Sequence, residues 1–149
     1  TMAHMSFKND AEAGDPRYTS KVVERADTTT YDGLQSNLAV SVWSGAYDPI
    51  AIVRNEELVL LKAEANIGKG GDGLTEINAV RTAHGLAAAP TGGIDQLLHE
   101  KRYSLFMEGH RWVDMRRYGK TAALPNDRSD RGDKVFDSFP LPEAETKGK

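Results

Sequence analysis

The chain has no cysteine. That excludes disulfides, cysteine-ligated zinc and thiol nucleophiles together. It leaves the compartment open, because exported proteins also do without cysteine. No apolar run approaches the length that crosses a bilayer as a helix. No signal peptide and no lipid-anchor cysteine are visible. There is no Lys/Arg-rich block, and the net charge is -3, so no nucleic-acid partner is expected. Aromatics are sparse at 7%, and hydrophobic residues reach only 39%. The 149 residues suffice for one domain around a single core.

What is present divides the chain into four stretches. Residues 1–6 (Thr-Met-Ala-His-Met-Ser) read as a cloning scar outside the fold. Residues 7–48 form an irregular segment with short strands at Lys21–Glu24 and Leu38–Trp43. Between them, Thr28-Thr29-Thr30 and Asp32-Gly33 suit loops or a hairpin turn. Residues 49–118 are helical. Asp48 and Pro49 suit a helix start, and Leu58, Leu61 and Ala65 share a face, with Val53, Leu60 and Ile67 beside them. Gly68 stops this first helix. Asp72 suits the start of a second, with Leu74, Ile77 and Val80 on one face, and His84-Gly85-Leu86 reads as its Schellman ending. A third helix is expected from Ile94-Asp95 to about Tyr118, bent at Gly109. Residues 119–149 are a polar loop, Asn126–Lys134, followed by an extended segment, Phe136–Pro142, docked on the helices.

The helical region is dense in charge. Glu57, Glu64, Arg81, Glu100, Arg102, Glu108, Arg111 and Asp114 resemble catalytic carboxylates with cationic stabilisers, but an ion-pair network locking helices together explains them better. Glycosidase chemistry needs two carboxyls flanking a cleft, and no pair here is selected by spacing. On one continuous helix Glu108 and His110 point to opposite sides, which argues against a metal site, and no His-Glu-x-x-His occurs. The glycines at 68, 70, 71 and 73 lack the Lys-Ser/Thr of a phosphate loop. No Gly-x-Ser-x-Gly elbow is present. Catalytic residues, metal ligands and cofactors are therefore not assigned. Tyr31, Trp43 and Tyr47 lie outside the helices. They either present flat faces for stacking on sugar rings or, in the reading favoured for Trp43, pack against the helices. Trp112 is expected in the core.

Four ordered segments resemble the SusD/RagB family of outer-membrane nutrient-binding lipoproteins. Arg54-x-x-Glu57-x-x-Leu60-x-x-Ala63-Glu64-Ala65 is similar to one family helix. Ile77-Asn78-x-Val80-Arg81-x-x-x-Gly85-Leu86 is similar to the next. The run Glu100 to Arg117 holds Arg102, Glu108, Gly109, His110, Arg111, Trp112, Asp114 and Arg117, and is close to the family's late helical pattern. Phe139-Pro140-Leu141-Pro142-x-x-Glu145 resembles its closing motif, and Asp15-Pro16-Arg17 an earlier tripeptide. The chain departs at Ser104, where the family usually has an acid, and it resembles only the C-terminal portion of family members.

The resemblance implies a mostly α fold, a fragment of a tetratricopeptide-like α-α superhelix with irregular and short β flanks. It implies a non-catalytic carbohydrate- or nutrient-binding protein at the outer face of the outer membrane. Such a protein captures oligosaccharide and passes it to a SusC-like TonB-dependent transporter. One alternative is a helical interaction module that contacts the transporter without binding glycan. A second is a glycoside hydrolase using Glu100 or Glu108. A helix pair cut from a superhelix also leaves an apolar face uncovered, so self-association is expected.

Overall fold

The computed structural model describes residues 1–139 and 141–142. Two short helices come first, α1 (Ser6–Asn9) and α2 (Pro16–Thr19), then a hairpin of β1 (Val22–Tyr31) and β2 (Leu34–Val40). Four helices follow: α3 (Asn55–Gly68), α4 (Leu74–Ala83), α5 (Ile94–Ser104) and α6 (His110–Arg117). Short 3-10 turns sit at Thr121–Ala123 and Ser129–Arg131. The chain is mostly α with short β flanks, as the sequence implies. Among the described residues, no helix is long and apolar enough to cross a membrane.

The strands are longer than expected and pair antiparallel. Asp32 (φ 48°) and Gly33 (φ 82°) turn the hairpin. Both central residues have positive φ, the requirement of a type I′ turn, so Asp-Gly decides where the chain reverses. The threonines at 28–30 belong to β1, with regular pairing resuming at Thr29 after an irregularity that begins at Glu24. Residues 1–6 are not outside the fold. Ala3 is buried, its N–H donates to the Leu38 carbonyl at 3.0 Å, and its carbonyl accepts from Ser36 Oγ at 2.6 Å. Backbone pairing and burial thus tie the opening residues to β2.

The first long helix begins at Asn55, six residues later than expected. Asp48 does not cap it. Its carboxylate accepts from the Ser44 N–H and, at 3.0 Å, from the Gly45 N–H, closing a turn behind it. The buried stripe also differs. Leu60 and Ala63 are buried, with Ile67 packed against them, whereas Leu58 and Leu61 are more than half exposed. α3 is apolar on two faces, and the face that α4 and α5 cover could not be chosen from periodicity. The second helix matches expectation. Ile77 and Val80 are buried, and Gly85 N–H donates to Thr82 O and Leu86 N–H to Arg81 O, both at 3.0 Å, as a Schellman ending requires.

The third expected helix is two. α5 ends at Ser104, and the backbone is left-handed at Met107 (φ 68°) and Gly109 (φ 83°) before α6 starts. The break is capped from outside, because the Lys21 ammonium donates to the carbonyls of Tyr103 and Ser104. The core accordingly has two parts. One joins α3, α4 and α5 through Leu60, Ala63, Ile77, Val80 and Leu97. The other seals the N-terminal segment and hairpin onto α5 through Ala3, Phe7, Val22, Leu38 and Tyr103.

Candidate functional site

Asp15 and Pro16 start α2: the Asp15 carboxylate accepts from the Arg17 N–H at 2.8 Å, and proline suits the first turn. That cap aims the Arg17 guanidinium into the protein. There it binds Asp15 at 2.8 Å and Glu100 of α5 at 2.6 Å, with all three side chains buried. The other oxygen of Glu100 accepts from Arg81 of α4 at 2.8 Å and from Gln96 at 2.7 Å. Arg81 continues to Glu12 at 2.8 Å and to the Ala87 carbonyl at 2.7 Å. Burial works against the Arg17 charge, yet Asp15 and Glu100 outweigh it and hold its pKa above the ordinary value. Burial likewise pushes Asp15 up, but its bonds to Arg17 win and hold it below the usual range.

A second network is anchored on the next residue of α5, about 100° around the helix. Lys101 bridges Glu64 of α3 and Asp114 of α6, at 2.9 Å each. Arg117 and the Tyr118 hydroxyl also reach Glu64, at 2.5 and 2.7 Å. Burial opposes the Glu64 charge. Tyr118, Lys101 and Arg117 overcome it and hold the carboxyl at about 2. Desolvation first, then the hydrogen bond to Glu64, pushes the Tyr118 hydroxyl up to about 12.

A third cluster lies between the start of α3 and the α5–α6 break. Arg54 pairs with Glu108 at 2.9 Å, and Glu57 faces His110 at 3.6 Å. The ligand atoms of Glu57, Glu108 and His110 lie within 4.8 Å of one another. The expectation that Glu108 and His110 diverge fails because Glu108 precedes α6 and is not on a helix. These three are the residues that could hold a metal among those described. The Arg54 guanidinium already supplies positive charge to Glu108, so that carboxylate is engaged in an ion pair.

The carboxylates read as a network in the sequence are therefore drawn into ion pairs across elements. Glu100 has no exposed surface and lies between two arginines, so it cannot touch a substrate. Asn78 holds the loop after α4, with its side chain bonded to the backbone of Ala89 at 2.7 and 3.4 Å. Arg102 pairs with Asp10. Lys21 is a participant that the sequence reading missed; only its burial under α5, pushing its pKa down to about 8, marks it out.

The aromatics behave differently from the charges. Trp43 is partly exposed, belongs to neither buried cluster, and does not pack into the helical core as expected, because the hairpin ends at Val40 and the following backbone is irregular. Tyr47 and Tyr31 are exposed. Trp112 is half-buried at a rim, not in the core. Its indole N–H donates to the Phe136 carbonyl at 2.8 Å, and its ring lies 5.0 Å from Phe139. That is how the C-terminal extended segment docks; Pro140 and Glu145 of the closing motif lie outside the described residues. The loop at 126–134 is pinned to the hairpin turn, where Arg128 pairs with Asp32 and, at 2.6 Å, with Asp133.

No curated protein and no solved structure gives a significant match to the chain. A family model does match: residues 35–148, well over half of the chain, fit the model of the SusD family, and the chain belongs to that family.

Proposed function

We propose that this chain is part of a non-catalytic, surface-facing nutrient-binding protein of an outer-membrane uptake system, one that captures oligosaccharide and hands it to a SusC-like TonB-dependent transporter. The observation that carries the reading is the family match over residues 35–148. The pairing of Glu64, Glu100 and Asp114 with cations supports a scaffold role for the carboxylates, and hence binding without covalent chemistry. Tyr31, Trp43 and Tyr47 are the proposed stacking groups, since all three carry accessible ring surface. Calorimetric titration with a panel of soluble oligosaccharides, using Trp43→Ala as the control, tests it. Binding that Trp43→Ala abolishes places capture on this chain, and no binding to any sugar rejects it.

A second reading is an interaction module that contacts the transporter and leaves glycan to other parts of a longer protein. The uncovered apolar face of α3 favours it, because Leu58 and Leu61 are 54% and 55% exposed. Capture of the chain by an isolated transporter barrel, with a melting temperature indifferent to sugars, is its expected result.

A further inference from the structure

A cavity of about 510 Å³ lies between the N-terminal segment and the α5–α6 corner. Its size falls within the range of small-molecule sites. Phe7, Leu105, Phe106 and Trp112 supply apolar wall. Tyr31, Trp43 and Tyr47 do not line it, so it is distinct from the proposed sugar-stacking groups.

Two charged groups of α6 line this cavity without full satisfaction. Asp114 is 93% buried, its side chain retaining 7% exposure. Its Oδ1 accepts from Lys101, but its Oδ2 is buried with no hydrogen-bond partner among the described residues. A buried acceptor left unmade costs its desolvation. Arg111, one helical turn earlier, feels burial first and the Arg102 charge next, and both depress its pKa. Asp10, Tyr103 and Asp114 pull the other way but none bonds its guanidinium. Arg102 is already engaged by Asp10 and by Ser6 Oγ at 2.9 Å. The cavity thus offers an apolar body site, an arginine with no ion pair among the described residues, and the carboxyl of Asp114, whose unpartnered Oδ2 is itself closed off from solvent.

We propose that this cavity binds a small amphipathic acid: a molecule with a flat or aliphatic apolar body, an anionic group for Arg111, and a hydroxyl or amino hydrogen beside it for Asp114 Oδ2, which a turn of the carboxyl brings to the cavity. One ligand then satisfies both groups while its body is removed from water by the aromatic wall.

The probes are 8-amino-1-naphthalenesulfonate, which carries all three features, and 1-naphthalenesulfonate, which lacks the donor. Each is titrated calorimetrically into the full chain. The expected result is one site per chain, with the amino compound bound about fivefold or more tighter, as a hydrogen bond to a charged group allows. Arg111→Gln weakens the amino compound about tenfold or more. Ala123→Trp, at the cavity's exposed rim, abolishes binding without lowering the melting temperature. Leu61→Gln, on the outer face of α3, changes nothing. No binding of either probe overturns the proposal. So does binding that Leu61→Gln removes and Ala123→Trp spares, which would put the probe on the α3 face. Equal affinity for the two probes overturns the assignment of Asp114. If Arg111→Gln fails to fold, the rim variant and the probe pair still decide.

Discussion

Glu100 is an ionisable side chain with no exposure, held between two guanidinium groups and an amide. Such a buried cluster need add little net stability, because desolvation offsets most of the Coulomb gain. Removing one member is different, since it strands buried charge. Glu100→Gln leaves Arg17 and Arg81 undercompensated and is expected to cost about 3–5 kcal/mol, read from urea unfolding at pH 7. A loss below 1 kcal/mol would mean that Asp15 and Glu12 suffice without it. Glu64 carries the acid dependence. Its folded pKa is about 2, against an ordinary 4.5. The unfolded chain therefore takes up this proton first as pH falls. The stabilisation is present above about 4.5 and drains away toward about 2, amounting to about 1–2 kcal/mol once solvent screening is allowed for. Glu64→Gln should flatten the loss of stability between pH 5 and 2.5; an unchanged acid slope would exclude Glu64 as its source.

Elements show how much of this was legible. α4 and its ending could be read directly, because the Leu74, Ile77, Val80 spacing and His84-Gly85-Leu86 are local signals. α3 could be recognised as a helix but not oriented, since either of its two apolar faces satisfies the same period. Leu60→Ala should therefore cost about 2–5 kcal/mol, while Leu61→Ala should stay within about 0.5 kcal/mol; thermal melts of the two variants check the assignment, and equal losses would refute it. The α5–α6 break was half visible. Gly109 suggested a bend, but the full stop depends on Met107 and on Lys21, 82 residues from Tyr103 in sequence. Long-range pairs of that kind have no periodic signature. The same holds for the site: Glu100 and Arg81 could be singled out within a charged set and Arg17 only within a resembling tripeptide, and their common meeting point is a tertiary fact. Helical spacing fails for Glu108 and His110 for the same reason, because the pair spans the break before α6.

At the scale of the whole molecule, the outer face of α3 and the segment before it leave apolar surface without a partner. Ile50 and Ile52 are 74% and 95% exposed, and Val53, Leu58 and Leu61 each exceed half. Scattered apolar side chains are ordinary on a surface, but a run gathered at one helix and its approach is the kind of patch that marks an interface. In a stacked helical array the next pair of helices covers such a face. The chain alone has its own copies as the nearest source of matching surface, and a face apolar on both partners is self-complementary. Reversible dimers are therefore expected at high concentration, with light-scattering mass rising from monomer toward dimer. Leu58→Lys combined with Leu61→Glu should return the mass to monomer at every concentration while the melting temperature holds, because neither residue is in the buried clusters. A strictly monomeric unmutated chain would show that the patch does not pair with itself. Dimers that survive the double substitution would place the contact elsewhere, with exposed Phe136 and Phe139 beside Trp112 as the next surface to mutate.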